Sequence, residues 1–316
     1  MAKHDPNQAW QNYWRENRLA ACVPDNPDTA ADIEAHWTEF LAGLPNGTRV
    51  LDIATGNGVV LLWAARAARS TGREMALTGI DFADIDPARF LPAHQAELSS
   101  VQFIGNTRAE SLPFANASFD VVVSQYGLEY ADLQQALTEA ARVLVSGGQL
   151  HCLAHGDDSV VVRQGRAQLL DIDLLLAAHG PFAAMQAYLE AHARGRKVER
   201  ATRVLTEALR VAEAHCAASP PATLVHQLCG GILDTANRIE QYHVDDISTW
   251  LTENRKRLRG QRQRIHDLQA ARLSETRLAA LKQSLDRPPW SEAMLTSLDV
   301  GAHNESVGRL IHAVKG

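Results

Sequence analysis

Between residues 49 and 156, short apolar runs alternate with segments whose apolar positions recur at helical spacing. The runs are rich in Val, Ile and Leu and are bounded by turn residues, so each predicts a buried strand. Strands that alternate with helices predict a parallel sheet with helices on both faces. The predicted strands start at Arg49, Met75, Val101, Phe119 and Gln149, and helices are predicted at 59–69 and 133–144.

Residues 157–285 carry no strand pattern, and their apolar side chains recur at helical spacing. Within them, Leu251, Leu258 and Ile265 stand seven positions apart. This repeat predicts one long amphipathic helix from about residue 246 to residue 285. The apolar stripe of such a helix has to pack on a partner.

The N-terminal 48 residues also predict helices. Trp10, Tyr13 and Trp14 lie at helical spacing, and we interpret this aromatic group as packed core, with a substrate cage as the alternative. A second helix is predicted at 28–41, with its N-cap at Asp28 or Thr29.

Composition narrows the function classes. The chain has 316 residues, of which 46% are hydrophobic and 22% charged, and these values are typical of folded globular proteins. A net charge of −6 argues against a general nucleic-acid binder, and the apolar runs are too short to span a membrane. Four scattered cysteines and an N-terminus without a signal-peptide pattern predict free thiols in the cytoplasm.

The strongest local motif lies between the first predicted strand and the first predicted helix. Ala54, Gly56 and Gly58 are small, so the backbone can turn tightly there and approach a ligand closely. Asp52, at the end of the strand, can accept hydrogen bonds from an ammonium group or from amides. A dinucleotide-binding turn would need a third glycine where Leu61 stands, so that interpretation fails.

Four motifs, in this order along the chain, resemble the class I S-adenosylmethionine-dependent methyltransferases, in their small-molecule branch. Each one is short, but together they cover residues 49–156. The four are Asp52 to Gly58, Asp81 with Phe82 after the second predicted strand, Ala109 to Phe114 with Ser118 to Asp120, and Arg142 to Gly148.

The resemblance implies an α/β fold: a Rossmann-like, doubly wound sheet of seven strands, the seventh antiparallel. Residues 294–300 and 307–314 suit the last two strands, so the preceding helical block is predicted to be an insertion between strands 5 and 6. We expect it to act as a lid over the acceptor substrate. The predicted segments are 1–48 (N-terminal helical cap), 49–156 (cofactor-binding core), 157–285 (helical insertion) and 286–316 (closing strands).

The resemblance also implies S-adenosyl-L-methionine as the cofactor and a set of residues that bind it. The glycine-rich turn would hold the methionine end, and Asp81 would accept hydrogen bonds from both ribose hydroxyls. The full predicted set is Asp52, Ala54, Gly56, Asn57, Gly58, Asp81, Phe82, Ala109, Glu110, Ser124, Gln125 and Tyr126.

One position departs from the family pattern. The family often has an Asp at the end of the third strand that contacts the adenine amino group. Residues 105–109 of this chain contain no Asp. The adenine contact is therefore expected from backbone groups or from Glu110.

Candidate catalytic residues follow the fourth and fifth predicted strands. Tyr126 could orient the acceptor, with plain packing as the alternative. His155 titrates in the right range for a general base, with a capping role as the alternative. Glu129 could equally stabilise a helix N-terminus. His151 and His155 share a strand face, but Cys152 faces the other way, so no metal site is predicted.

These features predict methyl transfer by in-line displacement to a small-molecule acceptor, by similarity an aromatic, quinone-like or natural-product compound. One alternative is an RNA or protein methyltransferase that uses the basic residues 255–264, although a solvated helix face explains these residues equally well. Another is a catalytically silent binding subunit with the same fold. A homodimer through the helical insertion is a further expectation, and we predict neither a membrane nor a nucleic-acid partner.

Overall fold

A seven-stranded sheet forms the centre of the computed structural model, which describes residues 6–16, 18–22, 26–217, 224–301 and 304–316. The strand order is β3-β2-β1-β4-β5-β7-β6, and β7 runs antiparallel to both of its neighbours. This topology confirms the predicted doubly wound sheet with an antiparallel seventh strand. The strands are β1 (Thr48–Ile53), β2 (Met75–Ile80), β3 (Gln102–Ile104), β4 (Phe119–Gln125), β5 (Leu144–Ala154), β6 (Trp290–Val300) and β7 (Glu305–Lys315).

Helices cover both faces of this sheet. Trp37 and Leu41 of α2 are fully buried in one core cluster with the apolar side of α3. The second cluster joins α6 and α12 to the opposite face. The α-helices before residue 157, together with the last helix of the chain, are α1 (Pro6–Trp14), α2 (Pro27–Ala42), α3 (Val59–Thr71), α4 (Pro87–Phe90), α5 (Gln95–Leu98), α6 (Leu133–Val143) and α12 (Glu275–Leu285).

The chain divides into two compact units. The first contains residues 1–163 and 266–316, and the second contains residues 164–265. The second unit is helical and has its own core, in which Leu251, Leu258 and Ile265 are buried. The predicted stripe therefore packs inside this unit. The remaining helices are α7 (Val160–Leu176), α8 (Pro181–Ala193), α9 (Val198–Ala217), α10 (Leu224–Asn237) and α11 (Val244–Ala271).

The predicted boundaries differ from the observed ones in three places. The prediction of one helix from 246 to 285 is wrong, because Ser274 caps a new helix by accepting a hydrogen bond from the backbone N–H of Arg277. The N-cap of α2 is Asn26 rather than Asp28 or Thr29. β5 begins at Leu144, which is paired with Phe119 ahead of a bulge. The strand therefore starts at the last residue of the helix predicted at 133–144 and includes Gly147 and Gly148.

Three predicted features fall partly outside the described residues. The N-terminal cap 1–48 includes residues 1–5, 17 and 23–25, the block 157–285 includes residues 218–223, and the segment between β6 and β7 includes residues 302 and 303. Across the described parts of the chain, no helix is long and apolar enough to cross a membrane.

Three histidines from α2, β5 and β7 form a row beside the sheet. Nε2 of His36 lies 3.1 Å from Nε2 of His151, and Nδ1 of His151 lies 3.3 Å from Nδ1 of His312. The ring of Phe40 stacks on His151 with centroids 3.8 Å apart. Burial, together with the two neighbouring histidines, lowers the pKa of His151 to about 3. The row is therefore neutral at physiological pH.

This row predicts a loss of stability in acid. Between pH 7 and pH 5 the unfolded chain protonates this histidine while the folded chain does not, so the unfolding free energy falls. We expect His151→Gln to reduce that fall by about 1–2 kcal/mol in chemical denaturation, because the variant removes the proton uptake. His266→Gln, at an exposed histidine, is the control and should follow the wild type. An unchanged pH dependence in His151→Gln would contradict this account.

Candidate functional site

A cavity of about 520 Å³ opens at the carboxyl ends of β1, β2 and β4. Ile53, Ile80 and Gln125, the last residues of these strands, all line it. The carboxyl edge of an open parallel sheet is where ligands bind, because the strand-end loops diverge there. Its volume is in the range of small-molecule sites.

Asp81 stands at the centre of one wall, directly after β2. Its Oδ2 accepts the backbone N–H of Gly56 at 2.8 Å, and its Oδ1 accepts that of Ala83 at 2.7 Å. Burial raises the pKa of this carboxyl to about 6, and the two N–H donors limit the rise. Each oxygen keeps a second lone pair, so the carboxylate can still accept hydrogen bonds from a ligand.

The glycine-rich turn is only partly open to the cavity. Ala54, with φ 58°, lines it. Gly56, by contrast, lies under the indole ring of Trp14, which occupies the space that a side chain at position 56 would need. The predicted contacts of Gly56 and Gly58 with a ligand therefore have no counterpart in the cavity lining.

Asn57 and Asp52 are buried behind the same turn. The Asn57 side chain donates to the backbone oxygens of Trp14 at 2.9 Å and Arg18 at 2.7 Å, so it fastens the N-terminal segment to the turn. Asp52 accepts the Thr55 hydroxyl at 2.6 Å and is 1% exposed. Burial raises the pKa of Asp52 to about 8, assisted by Asp81 and opposed by the Thr55 hydrogen bond.

The loop after β3 forms the wall beside Asp81. Ala109 and Glu110 line the cavity, as does Phe82, whose ring lies 5.2 Å from the guanidinium of Arg108. Glu110 accepts hydrogen bonds from Arg108 at 3.2 Å and from the backbone N–H of Asp132 at 3.1 Å. These bonds hold the loop beside the helix that follows.

Ser124, by contrast, faces the protein interior. Its hydroxyl donates to the Ile53 carbonyl at 2.7 Å and accepts the Leu128 N–H at 3.0 Å. Gly127 follows in a close approach to the Cβ of Ala54, which leaves no room for a side chain. Ser124 thus stabilises the strand end, and Gln125, whose Oε1 is buried without a partner among the described residues, is the polar group of β4 in the cavity.

The two predicted catalytic residues lie together but turn away from the cavity. Tyr126 lines it with its ring, while its hydroxyl donates to the Val307 carbonyl at 3.0 Å. His155 is fully buried, is not part of the lining, and stacks on the Tyr126 ring at 4.5 Å. In this arrangement neither side chain presents a catalytic atom to the cavity.

Glu129 links His155 to the cavity. Its Oε1 lies 2.6 Å from Nδ1 of His155 and accepts the backbone N–H of the same residue at 2.8 Å. Although burial alone would lower the pKa of His155, the neighbouring Cys22 and Glu129 raise it to about 10. His155 is therefore an imidazolium at neutral pH. Glu129 itself lines the cavity.

Several lining residues were missed or assigned differently from the sequence. Trp10 and Trp14 line the cavity with their rings stacked at 6.1 Å, and Trp14 is also buried in a small core cluster with Ala83, as predicted. Tyr130 lines it too, perpendicular to Trp10 at 5.7 Å. Arg277 reaches it from α12 and donates to the Glu129 carbonyl at 2.8 Å. No local motif marks Arg277, because the fold brings it there from far along the chain.

No cluster of ligands for a metal ion occurs within the described ranges. His151 belongs to the histidine row, and Cys152 is fully buried in the core. His155 pairs with Glu129. The three residues therefore have separate environments.

Part of the sequence is similar to known methyltransferases. Residues 51–152 match the family described as "Methyltransferase domain". The ubiquinone/menaquinone biosynthesis C-methyltransferase UbiE of Rickettsia typhi is 31% identical over 153 residues, which cover 44% of this chain and 60% of that protein. Demethylmenaquinone methyltransferase of Listeria welshimeri is 36% identical over 119 residues, covering 37% of this chain and 48% of that protein. The matched part thus spans between 48% and 60% of these relatives.

Solved structures show weaker likeness. A SAM-dependent methyltransferase from Aquifex aeolicus has 18% sequence identity and a TM-score of 0.35, covering 50% of this chain and 76% of that chain. A protein of Methanococcus maripaludis, described by inference as an S-adenosyl-L-methionine-dependent methyltransferase, has 12% identity and a TM-score of 0.45, covering 100% of this chain and 96% of that chain. Neither likeness bears on the function.

The Asn57 contacts predict a local opening when they are removed. Asn57→Asp keeps the size of the side chain but removes both amide donors, so the segment 10–22 should lose about 1–3 kcal/mol of local stability. We expect hydrogen exchange to accelerate at least about tenfold in that segment and to stay unchanged in the strands. Asn46→Asp, at an exposed turn, is the control. Equal exchange in the wild type and Asn57→Asp would contradict the role of these bonds.

Proposed function

Residues 51–152 form a class I S-adenosylmethionine-dependent methyltransferase domain, and from this we propose that the chain transfers a methyl group from S-adenosyl-L-methionine to a small-molecule acceptor. The observation that carries the proposal is one cavity lined by two buried carboxylates, Asp81 and Glu129, together with aromatic rings. We assign the part around Asp81, the cofactor end, to the cofactor and the part around Glu129, the acceptor end, to an acceptor.

The cofactor end fits an adenosyl group. We propose that Asp81 accepts the ribose hydroxyls, since its oxygens are already oriented by two backbone N–H groups. Ile80 and Ala83 supply apolar surface for the base, and Ala109 with Glu110 closes the loop side. This assignment gives the adenine contact to the loop after β3, as expected for a chain without an Asp there.

The reaction requires few catalytic groups from the protein. S-adenosyl-L-methionine supplies an activated methyl group, so orientation of the acceptor and exclusion of water can supply much of the acceleration. Trp10 and Trp14 form an apolar wall over the cavity, and Asn57 holds them in place. We therefore assign the N-terminal segment the role of excluding water.

We propose an aromatic or quinone-like acceptor. The relative from Rickettsia typhi is named a ubiquinone/menaquinone biosynthesis C-methyltransferase, and the one from Listeria welshimeri a demethylmenaquinone methyltransferase. The aromatic rings at the acceptor end support a flat ligand, because ring faces bind flat rings well. Asp267 and Arg277, which belong to the last part of the block 157–285, line the cavity and support a lid function for that part.

The alternatives have less support. Within the basic stretch 255–264, Arg262 pairs with Asp173 at 2.6 Å, so part of its charge serves the helical unit itself. A silent binding subunit would not need the oriented carboxylate of Asp81. Homodimerisation would have to use faces other than the apolar stripe of Leu251, Leu258 and Ile265, because these side chains are buried. A cytoplasmic location agrees with four free thiols.

Removal of the Asp81 charge should impair cofactor binding. Asp81→Asn keeps the shape but loses charge-assisted hydrogen bonds, so the affinity for S-adenosylhomocysteine, measured by calorimetry, should fall at least about tenfold. Asp84→Asn is the matched control, because Asp84 is exposed and pairs with Arg15 at the surface. An unchanged affinity in Asp81→Asn would refute the assignment.

The pKa of Asp81 predicts how this binding depends on pH. Because burial raises that pKa to about 6, the carboxylate that accepts the ribose hydroxyls is lost as the pH falls through this value. We expect wild-type affinity for S-adenosylhomocysteine to be constant from pH 8 to pH 7 and to fall below pH 6, by up to about tenfold per pH unit. The Asp81→Asn variant should show no such fall, and a fall of equal size in both proteins would contradict the prediction.

A further inference from the structure

We propose that the acceptor is a ring that carries a hydroxyl group, and that Glu129 Oε2 and the Tyr130 hydroxyl bind that group. The inference rests on the proposed function and adds to it the chemistry that the acceptor end selects. The sequence predicts His155 as the general base, and the inference assigns the role of proton acceptor to Glu129 instead.

Buried polar atoms without partners mark the acceptor end. Glu129 is 1% exposed, yet it lines the cavity, and its Oε2 has no hydrogen-bond partner among the described residues. The hydroxyl of Tyr130 is also buried and has no partner that meets hydrogen-bond distance and angle among the described residues, although the Cys22 thiol lies beside it. A buried carboxylate oxygen left without a donor is costly, and buried polar groups in folded proteins are usually satisfied. A ligand hydroxyl would satisfy both atoms at once.

The charge of Glu129 decides which ligand groups can bind. His155 donates to Oε1 from both its ring and its backbone. A carboxylate only accepts hydrogen bonds, so Oε2 requires a donor and rejects an anion or a bare ether oxygen. The other titratable or charged groups around this pair are Cys22, Tyr126, Tyr130, Asp267 and Arg277.

The walls around the pair favour a flat ring. The Trp10 ring stands perpendicular to that of Tyr130, with an interplanar angle of 88° and centroids 5.7 Å apart. Trp10 also stacks on Trp14. An aromatic ligand can pack against such surfaces face-on or edge-on, which adds to the energy of area burial.

The same contact accounts for the proton that the reaction releases. The acceptor would form a new bond to the methyl carbon while the bond from that carbon to the sulfonium sulfur breaks and leaves its electron pair on the sulfur, so the acceptor gains one positive charge. The O–H bond of the acceptor would then break, its electron pair would stay on the oxygen, and the proton would go to Oε2 of Glu129. His155 then acts as a positioning residue, since it orients Glu129 without touching the acceptor. Solvent takes the proton when the products leave.

The test uses two matched probes, 1-naphthol and 1-methoxynaphthalene, which differ in the hydroxyl donor. With saturating S-adenosylhomocysteine, we expect the wild type to bind 1-naphthol at least about tenfold more tightly in calorimetry, because a hydrogen bond to a charged group is lost with the ether. Glu129→Gln should reduce that preference to less than about threefold, and Tyr130→Phe should weaken it as well. Glu275→Gln, at an exposed position in the first turn of α12, should keep it.

The outcomes separate this inference from the proposed function. If S-adenosylhomocysteine does not bind, the proposed function fails and the inference fails with it. If it binds but the wild type does not prefer 1-naphthol, the inference alone is overturned. A preference that persists in Glu129→Gln with unchanged S-adenosylhomocysteine affinity also overturns it. The wild-type comparison needs no substitution, so the inference stays testable even if a variant does not fold.

Discussion

The carboxylate of Asp81 is the interaction on which the site depends. It accepts one backbone N–H from the turn after β1 and one from the loop after β2, so it joins the two turns that form the cofactor end. Burial raises its pKa, and the two donors keep part of its charge available. The same oxygens that stabilise the turns are those we assign to the ribose. Architecture and ligand binding therefore share one carboxylate.

A second buried carboxylate defines the other end of the cavity. Glu129 is held by His155 on one oxygen, and its other oxygen, Oε2, is buried without a partner among the described residues, so we assign it to the acceptor. The two carboxylates differ in their partners: Asp81 is held by neutral backbone amides, and Glu129 by a charged imidazolium. The first arrangement suits hydroxyls of a ribose, and the second suits a donor that gives up its proton. We infer that this difference orders the two substrates within one cavity.

Much of this fold is predictable from the sequence, because alternation of strands and helices and the spacing of small residues are local signals. Asp81 and Ala54 are found from short motifs, and both line the cavity. Arg277 could not be found in this way, since only the folded chain brings it beside Glu129. The break at Ser274 was missed because leucines recur at helical spacing on both sides of it. Trp14 is buried in a core cluster as predicted, but the sequence did not show that its ring also lines the cavity.

Hydrogen exchange with and without S-adenosylhomocysteine tests the central claim most directly, because it reports on each loop of the site at once. The account predicts slower exchange in residues 54–58, 81–83 and 107–110, the three loops around Asp81, and unchanged exchange in the core of the helical unit 164–265. Unchanged exchange in those three loops at saturating ligand would contradict it.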